Sequence, residues 1–419
     1  MPDGSSTRLE ALIARRRPGY TLEAPFYTSA ALFDLDMDII FGRHWIYVGV
    51  EPDIAEPGDC LTVEIGKDSV VILRDDDGAL RAFHNVCRHR GARLVHEQRT
   101  NVGNLVCRYH QWTYGLDGGL RFAEHMGAGF DTSCHSLKPV HLRSLAGLLF
   151  ICLAAEPPAD FEATAAALEP YVAPHDLRNA KIVKEMTLVE RGNWKLVMEN
   201  NRECYHCLGS HPELTQSLFE YGFGFAPESL DDISREQLCR YDAMVAADHA
   251  RWEAAGLASR EIEHLADCVT GFRAQRLPLD RAGESQTLDA RAACNKLLGQ
   301  FTDRRLGGLS VWTQPNSWHH FMSDHIVTFS VLPLDAEHTL VRTKWLVHKE
   351  AVEGVDYDVA KLTEVWEATN QQDAELVAMS QAGARSGGYE PGPYSTHTEG
   401  FVEKFTAWYA GRLAAHVTP

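Results

Sequence analysis

The chain has 419 residues, of which 45% are hydrophobic, so it is long enough for two domains and apolar enough to bury a large core. Its net charge of −18 argues against a nucleic-acid-binding surface, because such surfaces carry an excess of Lys and Arg. It has no run of about 18 apolar residues, no leader-like N-terminus and only scattered cysteines, so we expect a cytoplasmic protein without a membrane span or a disulfide scaffold.

The sequence pattern changes at about residue 44. Residues 1–43 have the pattern of a helical and extended lead-in, and we expect them to pack on the C-terminal domain. Residues 44–156 consist of short β-branched runs separated by turn signals, of which the acidic turn at 75–78 is the clearest. This pattern predicts a small antiparallel β domain.

Two Cys/His pairs lie in this β domain, each just beyond a predicted strand. Cys87-x-His89 is followed after 17 residues by Cys107-x-x-His110, so two loop tips could hold one group between them. A zinc ion is one alternative, but zinc fingers usually pair Cys with Cys and His with His. A Rieske [2Fe–2S] cluster fits the mixed pairs better, because one of its irons takes two thiolates and the other two imidazoles. We therefore interpret the four residues as cluster ligands, with Trp112 shielding the cluster.

A second candidate site lies at residues 193–211. The stretch 194–203 contains no Gly or Pro and predicts a helix, so Glu203 and His206 would project from the same face, about one turn apart. A Gly-Ser pair before His211 and a Pro after it supply a break that could turn its side chain towards His206. Two imidazoles need one carboxylate to form the triad that holds ferrous iron with open positions for oxygen. Packing or surface roles for both histidines are the structural alternative.

Cys204-x-x-Cys207 lies inside the same stretch and has two other functional interpretations. It could be a thioredoxin-like redox pair or half of a zinc site. A redox pair should begin a helix after a strand, and no second CxxC completes a zinc site. We therefore interpret both cysteines as packing residues.

The rest of the chain predicts mixed helix and sheet. Residues 157–180 have the composition of a linker with one short helix. Residues 226–300 are charged, Ala-rich and helical in period, which is typical of an insertion or lid or of a solvated helical decoration. Residues 308–347 alternate apolar and polar and predict consecutive antiparallel strands. Residues 358–381 predict a helix with one buried stripe, on which Asp373 needs a partner.

Taken together, the two motifs resemble those of the α subunit of a Rieske non-haem iron oxygenase, and the resemblance spans nearly the whole chain. It implies an α+β fold in two domains. The first is an antiparallel β Rieske domain at residues 44–156. The second is a helix-grip catalytic domain with a curved antiparallel sheet at residues 157–419, on which the lead-in packs.

The same resemblance implies two cofactors, a [2Fe–2S] Rieske cluster and a mononuclear Fe(II). In the family the iron is bound by two histidines and by an Asp from a late helix. Here the histidines correspond to His206 and His211, and the Asp to Asp373, with Glu375 as the fallback.

The resemblance further implies a homotrimer in which the cluster of one subunit passes electrons to the iron of the next. A carboxylate bridges the two centres, and it falls at Glu203, which would link His206 to His110 of the partner subunit. Most of the family places Asp at this position. With Glu at this position, the sequence resembles instead the branch of the family that acts on quaternary ammonium compounds.

The activity implied is that of a terminal oxygenase component, a monooxygenase that uses O2 to hydroxylate an N-methyl group. The preferred reaction is glycine betaine to dimethylglycine plus formaldehyde. Proline betaine, carnitine, choline and an aromatic acid are alternative substrates. A Rieske electron carrier without catalytic iron is an alternative from another class. Because no GxGxxG fingerprint occurs, electrons are expected from a separate NAD(P)H-dependent flavin/iron–sulfur reductase.

A quaternary ammonium ion has no N–H donor, so we expect aromatic faces to hold it. The candidate side chains follow the second motif or lie on the later strands, and they are Tyr205, Phe219, Tyr221, Phe223, Phe225, Trp312, Trp318 and His319. No residue is assigned to a substrate carboxylate.

Overall fold

The computed structural model describes residues 4–220 and 230–417. Three helices open the described chain, and a π-helical turn, Asp36–Phe41, follows them. They are α1 (Gly4–Arg15), α2 (Pro25–Thr28) and α3 (Ala30–Leu35). This lead-in packs on the C-terminal half of the chain, because the buried Asp36 accepts hydrogen bonds from Trp194 Nε1 at 2.9 Å and Tyr409 OH at 2.6 Å. Lys195 forms a buried ion pair with the same carboxylate.

The next 110 residues or so form the antiparallel β domain that the alternating pattern predicts. Its strands, in chain order, are β1 (Ile46–Val50), β2 (Asp59–Ile65), β3 (Asp68–Arg74), β4 (Leu80–His84), β5 (Arg99–Asn101), β6 (Leu105–Val106), β7 (Thr113–Tyr114), β8 (Leu120–Phe122), β9 (His141–Leu145) and β10 (Leu148–Cys152). They form three sheets in the orders β4-β3-β2-β5, β6-β7-β8 and β1-β10-β9. The acidic turn at 75–78 joins β3 to β4 as expected.

A second, larger unit follows. Its helices are α4 (Phe161–Val172), α5 (Trp194–Asn200), α6 (Cys207–Ser210), α7 (Asp232–Ala254), α8 (Val359–Ala384) and α9 (Gly400–Val417). Its strands are β11 (Ala180–Glu190), β12 (Ile262–His264), β13 (Phe272–Leu277), β14 (Gly308–Thr313), β15 (Ser317–Phe321), β16 (His325–Pro333) and β17 (Thr339–His348).

These seven strands form one antiparallel sheet in the order β11-β17-β16-β15-β14-β13-β12. Both faces of the sheet are buried, because side chains alternate between two hydrophobic clusters with period two. On β16, for example, Val327 and Phe329 belong to the cluster shared with α5, α8 and α9, whereas Ile326 belongs to the cluster on the opposite face. The architecture is therefore the predicted α+β arrangement, a Rieske-type β domain followed by a helix-covered antiparallel sheet.

Helices α5 and α8 lie against each other on one face of this sheet. Each begins at a side chain that caps it: the Asn193 side chain accepts from Lys195 N at 3.1 Å, and the Asp358 side chain accepts from Lys361 N at 3.0 Å. The start of α5 is also joined to the last turn of α8, since Gln381 of α8 accepts a hydrogen bond from Asn193 N at 2.9 Å. The pair thereby fixes how the loop after α5 faces α8.

The region 226–300 differs from the helical insertion that the sequence predicts. Its described part contains one helix, α7, and then two strands, β12 and β13, that belong to the main sheet. Strand β13 reads FRAQRL, with no β-branched residue, so its strand character comes from pairing with β14 rather than from local propensity.

Within the described ranges, no helix combines the length and the apolar character needed to cross a membrane.

Candidate active site

The two Cys/His loops of the β domain have matching backbone geometry. In the first loop, Cys87 N donates to Ala92 O, and Gly91 N donates to Cys87 O. In the second loop, Cys107 N donates to Trp112 O, and Gln111 N donates to Cys107 O. Gly91 and Gln111 both have positive φ, 78° and 58°, which closes each loop tightly after its His.

The four predicted cluster residues lie together at these tips. Both cysteines are buried, whereas His89 and His110 are exposed and their rings are 4.6 Å apart. Burial and a hydrogen bond with Cys87 raise the pKa of the Cys107 thiol. The buried Trp112 stacks on His89 at 4.8 Å, in the shielding position that we expected. Two adjacent buried thiols beside two surface imidazoles fit a cluster with one inner and one outer iron.

The second motif does not keep the helical geometry that the sequence predicts. Helix α5 ends at Asn200, and residues 201–206 form turns before α6. Asn has a low helix propensity, and Trp312 Nε1 donates to Asn201 Oδ1 at 2.9 Å, which fixes the break. Glu203 and His206 still approach each other, because the turn places Glu203 Oε1 2.5 Å from His206 Nδ1.

Hydrogen bonds determine which nitrogen of each imidazole is free. The Glu203 carboxylate takes up His206 Nδ1, so His206 Nε2 is the ring nitrogen left to face a metal ion. His211 Nδ1 lies 2.8 Å from Gln372 Oε1. The amide of Gln372 is itself oriented by its Nε2, which donates to the Glu213 carboxylate at 2.7 Å. His211 therefore also donates from Nδ1 and presents an unprotonated Nε2.

Both free nitrogens converge on Asp373. Its Oδ1 lies 3.1 Å from His211 Nε2 and 3.5 Å from His206 Nε2. Neither Asp373 Oδ1 nor the buried His211 Nε2 has a hydrogen bond of proper geometry within the described residues. Burial opposes a charged His206, but the carboxylates of Asp373 and Glu203 outweigh it and raise the pKa of His206 to about 9. The three groups thus attract positive charge, and a bound metal ion would take the place of the proton on Nε2. Three lone pairs that converge in a negative field fit a bound metal cation. Glu375, the fallback, is exposed.

The two cysteines of this motif are joined to each other. A disulfide links Cys204 and Cys207, whose Cα atoms are 4.9 Å apart. The prediction that both are unpaired packing residues was therefore wrong, because the turn at 204–207, closed by Cys207 N donating to Cys204 O, brings the sulfurs within bonding distance. Cys207 Sγ also lies near the two imidazoles, but as a disulfide sulfur it offers no thiolate.

The triad opens into a cavity of about 220 Å³, which suits a small substrate. Loops after α5, strands β13 to β15 and helices α7 and α8 contribute to its wall. The polar wall residues are Asn200, Asn201, Arg202, Glu203, His206, His211, Arg273, Gln275, Gln286, Ser310, His320, Thr369, Asp373 and Thr398, and the aromatic ones are Phe219, Tyr241, Trp312, Trp366 and Phe401.

The structure brings only some of the predicted substrate residues to this wall. Phe219 lies there, 5.5 Å from Tyr241, and so does Trp312. Tyr205 does not, because its side chain points outward and is 68% exposed. Tyr221, Phe223 and Phe225 lie outside the described residues.

Trp318 and His319 also lie away from the wall, and this corrects their assignment. Trp318 is buried against Phe329 at 4.9 Å, farther along the sheet. His319 faces Tyr47 on the other side of the sheet, at 4.6 Å. A one-residue difference in strand register exchanges the faces, so the neighbouring His320 lines the cavity instead.

Several residues of the site were missed from the sequence. Gln372 orients His211, and His320 stacks on Trp366 at 4.5 Å. Arg202 and Arg273 bring two positive charges to the wall. The position of Gln372 beside Asp373 was the one available signal for it. The others depend on strand register or on long-range packing.

Comparison with known families agrees with this geometry. A family model for the Rieske [2Fe-2S] domain matches residues 44–139, and one for the ring hydroxylating alpha subunit (catalytic domain) matches residues 177–415. The chain belongs to the Rieske oxygenase α-subunit family. As a Rieske oxygenase it is an enzyme with a Rieske [2Fe–2S] cluster and a mononuclear iron, and the electron-carrier alternative is excluded.

Similar curated proteins cover almost the whole of this Rieske oxygenase. The chain is 45% identical over 408 residues to the glycine betaine monooxygenase oxygenase subunit of Pseudomonas aeruginosa (strain UCBPP-PA14), which covers 96% of this chain and 91% of that protein. It is 43% identical over 413 residues to the protein of the same name from Chromohalobacter salexigens, covering 97% of this chain and 88% of that one. The carnitine monooxygenase oxygenase subunit of Escherichia coli (strain K12) is 34% identical over 221 residues, which are 50% and 57% of the two chains.

Solved structures share the fold of this Rieske oxygenase. A quaternary ammonium Rieske monooxygenase in complex with L-carnitine has a TM-score of 0.68 and 22% identity, and the match covers 96% of this chain and 98% of that one. Naphthalene 1,2-dioxygenase from Rhodococcus sp. bound to indole has a TM-score of 0.67 and 17% identity over the full length of both chains. At these identities the likeness concerns the fold alone.

Proposed function

We propose that this Rieske oxygenase is a monooxygenase that demethylates glycine betaine to dimethylglycine and formaldehyde. The observation that carries the proposal is the 45% identity to glycine betaine monooxygenase oxygenase subunits across both domains. The cavity of about 220 Å³ beside the His206–His211–Asp373 group supports it, because it suits a compact substrate.

The balance of the reaction defines what the site must supply. One atom of O2 enters the N-methyl C–H bond, and the other leaves as water with two electrons and two protons. The hydroxymethyl product then loses its hydroxyl proton as its C–N bond breaks, which releases formaldehyde and leaves the C–N bonding electrons on the tertiary amine. An iron with open coordination positions provides the oxygen chemistry.

We assign the ligands of the mononuclear iron from the three side chains whose nitrogen and oxygen atoms converge. His206, His211 and Asp373 would hold the mononuclear iron, with Glu203 and Gln372 fixing the two rings through their Nδ1 atoms. Loss of either Nδ1 partner would free its ring to rotate or to change tautomer.

Cys87 and Cys107 would hold the inner iron of the Rieske cluster, and His89 and His110 the outer one. Because both imidazoles are exposed, the outer iron would lie near the protein surface, where a cluster could exchange electrons.

We further propose a homotrimer in which Glu203 bridges His206 and His110 of the partner subunit. Glu203 Oε1 is held by His206, and its Oε2 accepts a backbone hydrogen bond from Tyr205 N. The carboxylate is thereby fixed at the start of an exposed turn. A separate NAD(P)H-dependent reductase as electron donor and a cytoplasmic location are parts of the same proposal.

The quaternary ammonium group would bind against Phe219 and Tyr241. Trp312 is less suited than the sequence suggested, because the guanidinium of Arg273 already lies 4.5 Å over its ring. Phe219 and Tyr241 come from different segments, the loop after the triad and helix α7, and their rings are 5.5 Å apart. A cation against the faces of such rings gains about 1–2 kcal/mol when it is desolvated.

A substrate panel tests the proposed function. The holoenzyme with a compatible reductase is given glycine betaine, proline betaine, carnitine, choline and benzoate, and formaldehyde and O2 uptake are measured together. We expect glycine betaine to show the highest kcat/KM, with one formaldehyde per O2. Uncoupled O2 uptake with every quaternary ammonium compound, or preferred hydroxylation of benzoate, would contradict the proposal.

A further inference from the structure

Arg202 lies in the cavity wall, next to Glu203 in the sequence, and no anion accompanies its charge: the ring of Phe405 lies 5.6 Å from its Cζ, but no carboxylate acts on it. Its side chain is 4% exposed, and Nε, Nη1 and Nη2 all lack hydrogen-bond partners among the residues that the structure describes. Burial and the nearby charge of Arg273 lower the pKa of Arg202 to about 9, so the group is still cationic at neutral pH. An unpaired buried guanidinium destabilises a folded chain, which an anion bound in the cavity would offset.

Arg273 adds a second positive charge to the same wall, but it is held differently. Its Nη2 donates to Gln275 Oε1 at 2.5 Å and lies 3.2 Å from Glu261 Oε2, and its guanidinium lies 3.8 Å over the ring of Phe401. Glu261 partly neutralises Arg273 and fixes its position. No such carboxylate accompanies Arg202, so Arg202 is the group left to bind an anion.

We propose that Arg202, assisted by the field of Arg273, is the binding site for the substrate's carboxylate. The guanidinium can hold a carboxylate through two parallel N–H···O bonds, which are stronger than neutral hydrogen bonds. The ligand class is then a betaine, a quaternary ammonium ion and a carboxylate on one short chain. This inference rests on the proposed function and deepens it.

The consequence is selection by charge as well as by shape. Choline carries the same trimethylammonium group as glycine betaine but a hydroxyl in place of the carboxylate. Bound choline would leave the Arg202 guanidinium without a negative partner. A site discriminates most strongly against an analogue that leaves one of its buried polar groups unpaired. Aromatic faces alone would bind the two cations about equally.

The test is a comparison of glycine betaine and choline binding in wild type and Arg202→Met. Dissociation constants are measured by calorimetry on the anaerobic holoenzyme without a reductase, so the readout does not require turnover. We expect glycine betaine to bind roughly 10- to 100-fold more weakly in the variant, with choline unchanged. Arg202→Gln, which removes the charge but keeps polar atoms, carries the same test if the Met variant does not fold.

Arg276, on strand β13, offers a control. It is also a fully buried arginine, but it donates to Leu306 O at 2.9 Å and lies outside the cavity wall. Arg276→Met should lower Tm and leave the ratio of the two dissociation constants unchanged. Arg202→Met should not lower Tm without substrate, because it removes an unpaired charge, but it should abolish the rise in Tm that glycine betaine causes.

The outcomes separate this inference from the function it rests on. An unchanged betaine-to-choline ratio in Arg202→Met, or a fall in Tm like that of Arg276→Met, would overturn the carboxylate site while glycine betaine demethylation stood. If wild type neither binds nor demethylates glycine betaine, the proposed function itself fails. If Arg202→Met loses its oligomeric state but keeps the ratio of the two dissociation constants, Arg202 pairs with a neighbouring subunit. That result also overturns the inference.

Discussion

At Gln372 a single amide decides the orientation of a candidate iron ligand. Its Nε2 donates to Glu213, so its Oε1 must face His211 Nδ1, and His211 Nε2 is left with its lone pair. Partners of this kind fix ring orientation and raise the basicity of the ligand. The site therefore depends on a residue whose side chain does not itself face the metal position.

Gln372→Leu should weaken iron binding roughly 10- to 100-fold, because His211 loses the acceptor that holds its ring. Iron retained after incubation with a chelator measures the effect, and the visible absorbance of the Rieske cluster should stay the same. Gln371→Leu, at the exposed neighbouring position, is the control. Equal iron retention in both variants would contradict this role of Gln372.

Glu203→Ala tests the proposed bridge. At saturating ferrous iron both metal centres should fill in this variant. Coupled turnover should be lost, because the variant lacks the carboxylate that is proposed to link His206 to His110 of the partner subunit. Glu220→Ala removes an exposed carboxylate from the same segment and should behave as wild type. Retention of the wild-type rate by Glu203→Ala would rule out the bridge.

At the scale of elements, the site is formed where α5 and α8 meet. The loop after α5 supplies the two histidines and α8 supplies Asp373, so their separation sets the geometry of the triad. Gly192, two residues before α5, lies close against α8: an added Cβ would lie 2.3 Å from Val377 Cγ1, one turn after Asp373 on α8. A side chain at Gly192 therefore requires α8 or Val377 to shift.

Gly192→Ala should therefore push α8 away, destabilise the fold by about 1–3 kcal/mol and reduce iron content. Thermal unfolding and iron analysis measure both effects. Gly383→Ala, in α8 with open space around its Cβ, should be neutral or slightly stabilising. Adding Val377→Ala to the Gly192→Ala variant should restore part of both losses, and failure to do so would argue against the steric cause.

Glu199 of α5 connects three segments and carries a pH dependence. Tyr27 OH donates to it at 2.9 Å and Tyr394 OH lies 3.4 Å from it, with Lys195 and Glu399 also acting on its charge. Burial is the largest effect and raises the pKa of Glu199 to about 7. Because the folded pKa exceeds the unfolded value near 4.5, ionisation of Glu199 destabilises the folded state as pH rises between these values.

Glu199→Gln should remove this pH-dependent loss of unfolding free energy, which is on the order of 3 kcal/mol once the pH exceeds the folded pKa. The difference in Tm between variant and wild type should therefore grow from pH 4.5 to pH 7 and then level off. A difference that stays constant with pH would mean that Glu199 titrates as in the unfolded chain.

At the scale of the whole molecule, the two candidate metal sites have different exposures. His89 and His110 lie at the surface, whereas the triad lies in a cavity with His211 1% exposed. A cluster whose outer ligands are exposed is suited to electron exchange across an interface. The proposed trimer would use this surface to reach the neighbouring catalytic domain.

Mixed trimers test this directly. A Cys107→Ser chain without a cluster and a His206→Ala chain without iron should each be inactive as homotrimers. Co-expression with two affinity tags should yield mixed trimers that recover demethylation, because an intact cluster then lies beside an intact iron in a different subunit. No recovery would show that electrons pass within one chain.

Local patterns in the sequence predicted a large part of this protein. The Cys-x-His and Cys-x-x-His spacings fit into two short loops of the same shape, so nearby residues alone determine which side chains lie at each tip. The helical stripe through Asp373 and the alternating strands likewise depend on periods of a few residues. These periods predicted the mixture of helices and antiparallel strands, whereas the meeting of His206, His211 and Asp373 was predicted from the resemblance to the family.

Only the tertiary structure decided what surrounds those residues. His320 rather than His319 faces the cavity because the register of one strand sets it, and Arg202 is unpaired because distant segments bury it without a carboxylate. The partner of His211 depends on the orientation of an amide on another helix. The sequence by itself determined the ligand spacing and the order of domains, whereas the faces, partners and charges of the cavity come from long-range packing that no local pattern encodes.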